Sequence, residues 1–405
     1  MIKKKITYQN NFQAKKINFS FKNNLGKNFN KILKNEIKKL NLSNSPLSSL
    51  SKNFKYNFEF KEINRFKRLK TIIVIGMGGS ILGAQAIHQF LKDKIKKDFI
   101  FFDNIDEEKL LSFVKNNKFK DSLFIIISKS GDTIETLSNA MSLKLFSKKK
   151  KNVIFITEKK GSSLYYSSIK NNFKFIEHNN NIGGRFSVFT EVGMVPSYLM
   201  GLNIKKIRKN LLIHLQNKNQ IFLKNSVINL TNFLLRSNYK NLIFFNYAPK
   251  LEKFLYWAQQ LIAESLGKKG KGFFPVISNA PKDHHSLLQL YLDGPKDKIF
   301  YIFSEENPKG KKIKKGNYDK KLNIFKNKTL NHIKHYQKEA FIKSLEKNKI
   351  PFRQFKINKI SEENLGELFS YFILETVLIA RLIKSNPFNQ PAVEQVKIET
   401  IKKLS

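Results

Sequence analysis

Thr71-Ile-Ile-Val-Ile-Gly76, running straight into Met77-Gly78-Gly79-Ser80-Ile81-Leu82-Gly83, is the stretch that decides the fold. An unbroken apolar run feeding a glycine turn and then a helical pattern reads as a strand buried on both faces, the kind found in parallel sheets. A second copy of this grammar follows, Ser122-Leu-Phe-Ile-Ile-Ile-Ser128 and then Lys129-Ser130-Gly131-Asp132-Thr133-Ile-Glu135-Thr136. Where a strand turns into a helix, the first backbone N–H groups of the helix have no partner in the helix and its dipole adds positive charge, so both turns suit an anion. Hydroxyls of Ser80, Ser128, Ser130 and Thr133, with the Lys129 ammonium, would complete a phosphate cradle. The spacing is not that of a dinucleotide fingerprint, because Ile81 stands where its last glycine belongs. No nucleotide-type P-loop occurs either, so the expected ligand is a small phosphorylated molecule.

Working outward, strands are expected at Phe99–Asp103, Val153–Thr157 and Phe173–Glu177 beside the first two, with helices between. That alternation argues an α/β fold with a doubly wound parallel sheet, whose ligand site lies beyond the carboxyl ends of the strands. A long helix, about Ile204 to Ser237, then leads to a second run of strands at Leu242–Asn246, Gly272–Ile277, Lys298–Ser304 and Ile350–Ile357. The spacing predicts four parts: a helical lead-in over 1–65, α/β domains over 66–203 and 204–360, and closing helices over 361–405. Phe29 to Leu42 carries the helical spacing of the lead-in, and no low-complexity linker separates the domains, so a shared cleft is expected.

Composition narrows the chemistry. The chain of 405 residues has no cysteine, which removes disulfides, thiol nucleophiles and thiolate metal sites. The basic start lacks the apolar stretch of a signal peptide, and the apolar run Phe369 to Ile383 is interrupted by Glu375 and Arg381; a soluble cytoplasmic protein with no membrane partner is expected. The net charge of +44 comes from lysines scattered over nearly every expected surface element, as in Lys148–Lys151 and Lys311–Lys315, together with abundant Asn, Ile and Phe. That is the signature of A+T-rich codon drift, not of a nucleic-acid-binding arm, and no specific nucleic-acid partner is expected. The field would still raise the encounter rate of an anionic sugar phosphate.

Several side chains could do acid–base work. Gln260 and Glu264 are four apart and share a helix face; partial burial of Glu264 would raise its pKa and suit it to proton abstraction. His284 and His285 open a helix, and adjacent histidines cannot both face one metal there, so acid–base chemistry is the better reading. His332 and His335 lack a third ligand and read as surface. Gly183-Gly184-Arg185-Phe-Ser187 joins a glycine turn to a fixed cation, and Gln390-Pro391-Ala392-Val393-Glu394 opens a helix bearing Lys397.

Taken in order, Gly78-Gly-Ser80-x-Leu-Gly83, Ser128-Lys-Ser-x-x-Thr133-x-Glu135-Thr136, Gly183-Gly-Arg185-x-Ser187, Gln260-x-x-x-Glu264-Ser, His285-Ser286 and Gln390-Pro-x-Val-Glu-x-x-Lys397 resemble the motifs of the glucose-6-phosphate isomerase family over roughly residues 60 to 400. The resemblance implies two flavodoxin-like sugar-isomerase domains, a cytoplasmic homodimer with shared active sites, no metal and no cofactor, and interconversion of glucose 6-phosphate and fructose 6-phosphate in glycolysis and gluconeogenesis. It makes Glu264 the base that moves a proton between carbons 1 and 2 through a cis-enediol. It makes His285, assisted by Lys397, the ring-opening acid–base and Arg185 the enediolate partner, with Gly79, Ser80, Ser128, Lys129, Ser130, Thr133 and Gln260 on the sugar phosphate. The chain departs from the family pattern at Asp132, Ala392 and His284; a carboxylate at 132 weakens phosphate binding unless it points away or pairs with Lys129. A dual phosphoglucose/phosphomannose isomerase is the nearest alternative. A sugar-phosphate sensor without catalysis is a second, and it predicts a DNA-binding module that the chain lacks.

Overall fold

The structure is a computed structural model and describes residues 6–12, 24–116, 119, 121–147, 152–235, 238–306, 309–314, 316 and 319–405. The lysine run Lys148–Lys151, Lys315 and the first five residues lie outside the described residues. The strands are β1 (Ile6–Asn11), β2 (Thr71–Gly76), β3 (Asp98–Phe102), β4 (Ser122–Ile127), β5 (Val153–Thr157), β6 (Lys174–Glu177), β7 (Asn241–Asn246), β8 (Phe274–Asn279), β9 (Lys298–Glu305) and β10 (Phe352–Ile357). They form two sheets, β3-β2-β4-β5-β6 and β1-β10-β9-β7-β8. Every pairing in the first is parallel. In the second only β1 runs antiparallel. The α/β class and the parallel sheets expected from the sequence are therefore present. β2 and β4 are buried at every position, as strands covered by helices on both faces must be.

In each sheet the second strand in space is the first in its run, so the chain reverses direction between β2 and β4 and again between β7 and β9. These are switch points, where a crevice opens at the carboxyl ends of the strands.

The lead-in is not helical throughout, which corrects the expectation for residues 1–65. Ile6–Asn11 forms β1, antiparallel to β10, before the helix Asn24–Lys39. Tertiary partners override local preference here: Tyr8 Oη donates to Glu367 Oε1 at 2.9 Å and the buried Arg353 donates from Nε to Asn10 Oδ1 at 2.8 Å. The long helix expected over 204–237 is also broken. The chain forms Ile204–Ile207, a short 3-10 turn at Ile213–Leu215 and the helix Asn217–Leu235, because the turn buries His214 against Tyr8 Oη (3.2 Å) and Glu367. β8 begins two residues later than expected; Gly272 at φ +132° and the Lys268–Lys271 bridge occupy that stretch with a tight turn.

Two helices carry the architecture towards the site. Glu362–Leu382 is buried along almost its whole length, with its apolar side chains in the core and its buried polar ones among them. Glu252–Leu266 packs on it and on Leu82–Phe90, the helix that follows the first glycine turn. Trp257, fully buried, meets Phe369 edge-on at 4.6 Å and Phe254 at 5.6 Å. Such a ring is worth about 3–5 kcal/mol against Ala. It sets the rotation of the helix, which leaves Gln260 and Glu264 on a half-buried flank.

Candidate active site

The first glycine turn is shaped by what it must touch. Gly78 adopts φ +50°, and a Cβ there would lie 2.7 Å from Gln260 Nε2. A Cβ on Gly79 would lie 2.2 Å from the carbonyl carbon of Gly184 and 2.5 Å from the nitrogen of Arg185. Only hydrogen fits where backbone meets backbone. The turn after β2, the Gly183-Gly184-Arg185 turn and the Gln260–Glu264 flank are thus pressed together, although more than a hundred residues separate the first two in the chain.

Arg185 is buried, and each of its polar contacts is a positioned oxygen. Nε donates to Ser265 Oγ at 2.9 Å, and Nη1 to Glu264 Oε2 and Gln390 Oε1, both at 2.8 Å. Nη2 donates to the carbonyls of Pro387 at 2.6 Å and Asn389 at 3.2 Å. Burial pulls the guanidinium below its ordinary pKa while Glu264 pulls it back up, and it stays a cation at any working pH. Gln260 Nε2 donates to Glu264 Oε1 at 2.9 Å, so both carboxylate oxygens are oriented. Gln260 Oε1 is buried with no hydrogen-bond partner among the described residues; a donor from a bound ligand would satisfy it. A cavity of about 560 Å³ opens beside Glu264, lined also by Lys268, Asn386, Gln390 and Val393.

The second turn gathers hydroxyls as expected. Ser128 and Thr133 are hydrogen-bonded through their hydroxyls at 2.8 Å, and the Gly131 N–H donates to Ser128 Oγ at 3.1 Å with Gly131 at φ +77°. Ser130 Oγ lies 3.5 Å from Ser128 Oγ and accepts from the Asp132 N–H at 3.3 Å. Thr133 caps the helix Ile134–Ser142 without a side-chain bond to its first N–H groups. Lys129 does not complete this cluster. Its ammonium donates to the Asn180 carbonyl at 2.7 Å and pairs with Glu158 at 3.5 Å. Asp132 points away: Oδ1 accepts from the Ser163 N–H at 2.8 Å at the start of the next helix.

The structure does not bring every expected residue together. His284 is half-buried, its Nε2 2.6 Å from Tyr247 Oη and its ring parallel to Phe245, and burial lowers its pKa. His285, the neighbour assigned to ring opening, is exposed and bonds to neither Glu264 nor Arg185. Lys397 sits on Glu394–Leu404, a helix with no buried residue, paired with Glu394 at 3.0 Å. His332 closes a capping box with Thr329, and His335 lies 3.8 Å from Glu306, away from any ligand set. Among the described residues no group of three or more His, Cys, Asp or Glu could hold a metal, and no helix is long and apolar enough to cross a membrane. The motif Gln260-x-x-x-Glu264-Ser includes Ser265 without giving it a role, and neither Lys268 nor the carbonyls of Asn386, Pro387 and Asn389 were singled out. Lys268 follows Glu264 in the same segment and could have been found there; backbone carbonyls leave no trace in a sequence.

Two doubly wound parallel sheets packed as these are have the architecture of the sugar-isomerase fold. Solved structures share it: a hypothetical protein from Thermus thermophilus (TM-score 0.84, 22% identity, 99% of this chain and 100% of that one) and a glucose-6-phosphate isomerase from Chlamydia trachomatis (TM-score 0.70, 18% identity, 85% and 72%). The phosphoglucose isomerase family model matches residues 47–272, more than half of the chain. A glucose-6-phosphate isomerase of Methanocaldococcus jannaschii is 34% identical over 349 residues, 84% of either chain, and one of Mycoplasmopsis synoviae is 34% identical over 357 residues, 82% of this chain and 81% of that one. The chain belongs to the phosphoglucose isomerase family.

Proposed function

We propose that this chain is an aldose–ketose isomerase that interconverts glucose 6-phosphate and fructose 6-phosphate through a cis-enediol, in the cytoplasm, within glycolysis and gluconeogenesis. The observation that carries the reading is the Arg185–Glu264–Gln260 constellation, a carboxylate held on both oxygens beside a buried cation, with Glu264 lining a cavity. Glu264 takes the proton from carbon 2 of the open aldose, the electron pair moves into the enediol, and the carbonyl oxygen gains negative charge that Arg185 neutralises. Passage of the hydroxyl proton from O2 to O1, with return of the carbon proton to carbon 1, leaves the carbonyl on carbon 2 and completes the ketose. A positioned base is worth about 10² to 10⁴ in rate, and a preorganised cation a few kcal/mol more. The phosphate belongs to the hydroxyl turn Ser128, Ser130 and Thr133, with Gly79 and Ser80 beside it and Gln260 on a sugar hydroxyl. Lys129 then acts by bracing that turn against Asn180 and Glu158.

Ring opening is assigned to His285, assisted by Lys397. Both are exposed in the single chain, which favours a homodimer in which His285 completes the partner subunit's site. The domain limits 66–203 and 204–360 are part of the same reading. A coupled assay for glucose 6-phosphate formed from fructose 6-phosphate tests the function; absence of turnover by the purified protein would refute it.

A further inference from the structure

The segment that supplies Gln390 to Arg185 is held from a second side. Lys268 lies two residues past the helix Glu252–Leu266, lines the same cavity as Glu264, and donates from Nζ to the carbonyls of Ser265 at 2.9 Å and Asn386 at 2.8 Å. Arg185 meets the same two elements from the other side, through Ser265 Oγ and through Pro387, Asn389 and Gln390. The contacts close a ring: Ser265, Arg185, residues 387–390, Asn386, Lys268 and back to Ser265.

We propose that Lys268 is a positioning residue for the isomerisation, clamping the Gln390 segment to the end of the Glu264 helix so that Arg185 is fixed on the carboxylate. The inference rests on the reading of Glu264 as the base. An ammonium makes this clamp with two of its three donors, and a neutral amine offers only two hydrogens and no charge to the carbonyls at a helix end. Burial, with Arg185 nearby, lowers this lysine to about 8 against the opposing pull of Glu264. Because the charged form makes the stronger clamp, it is at full strength below that value and weakens as pH rises through it. A misplacement of about 1 Å in a catalytic group costs about 10²-fold in rate. A lysine that merely caps a helix end would instead lower thermal stability and leave turnover alone.

The test measures kcat and KM against pH for the wild type, Lys268→Met and Lys268→Arg. Lys268→Met should lose about 10- to 100-fold in kcat with KM changed less than about threefold. The wild-type kcat should fall on the alkaline side with a midpoint near 8. Lys268→Arg, which cannot titrate there, should restore most of kcat and push that limb upward. Wild-type kcat in Lys268→Met, or an alkaline limb unmoved in Lys268→Arg, overturns the proposal. Should Lys268→Met fail to fold, the shift of the limb between wild type and Lys268→Arg still decides. A wild type without isomerase activity would instead sink the reading of the site itself.

Discussion

The crevice between β2 and β4 and the crevice between β7 and β9 have the same topology, strand order 2-1-3-4 counted within each run, and opposite contents. The first is bordered by glycine turns, hydroxyls and the uncapped start of a helix. At the second, β7 and β8 end in Asn246 and Asn279, which bond to each other at 3.2 Å; Asn246 also accepts from the Ala248 N–H at 2.9 Å and Asn279 donates to Glu252 at 3.0 Å. Beside them Lys338 donates to Glu306 at 2.6 Å, and Ser304 Oγ donates to the same carboxylate oxygen at 2.8 Å. The fold provides a crevice twice; among the described residues, these polar groups of the second are bonded to one another, whereas Gln260 Oε1 at the first has no partner. Function belongs to the residues grafted on the switch point, not to the topology.

The sharpest way to break that contrast is to disarm the first crevice alone. Glu264→Gln should retain binding of fructose 6-phosphate and lose about 10²- to 10⁴-fold in kcat, since the amide keeps the shape without the basicity. Exchange of the carbon-2 proton with deuterated solvent, followed by NMR, should disappear with it; persisting exchange would identify another base. Next in size is Gly79→Ala. Its methyl would enter the space of the Gly184 carbonyl carbon, 2.2 Å away, so the two turns must separate. The expected loss is about 10² in kcat/KM together with about 1–3 kcal/mol of stability from overpacking. Wild-type kinetics in this variant would mean that the close approach of the turns does not hold Arg185 in place.

Those two sites also show what a sequence can reveal. β2, β4 and their turns were legible because apolar runs, glycines and hydroxyls act locally, and Glu264 with Gln260 was legible from helical spacing. β1 was not: its six residues become a strand only because β10 offers an open edge and Glu367 and Arg353 offer partners. The break before the helix Asn217–Leu235 was hidden for the same reason, since the cause is the burial of His214 among distant residues. The turning of Asp132 to the Ser163 N–H, and of Lys129 to Glu158, likewise depend on contacts across thirty residues or so of chain.

A further experiment sharpens the assignment of His285. In a C2 dimer with sites completed in trans, mixing Glu264→Gln and His285→Ala subunits places both lesions in one site and leaves the other intact. Denaturing the two inactive variants together and refolding them should restore activity in roughly a quarter of all sites. If His285 serves its own chain, every site keeps a lesion and refolding restores nothing.

The smallest effect is expected in the second crevice, where a lesion should touch stability and spare catalysis. Lys338 is almost wholly buried and Glu306 about a quarter exposed. Burial alone would raise the Glu306 carboxyl, but the Lys338 ammonium and the Ser304 hydroxyl outweigh it and hold the group below its ordinary value. A carboxylate whose folded pKa is depressed contributes stability above its unfolded pKa of about 4.3, and loses it as pH falls through the folded value. Lys338→Met leaves Glu306 without its cation and should lower unfolding stability by about 1–3 kcal/mol at pH 7, less than for a fully enclosed pair because Glu306 reaches solvent. The gap between variant and wild type should narrow on acidification below about pH 4, where the carboxylate is protonated in both. Calorimetric unfolding at both pH values measures this, with kcat/KM expected to stay within about twofold of wild type throughout. A large loss of turnover in Lys338→Met at unchanged stability would mean that the second crevice takes part in the reaction, and the contrast between the two would fail.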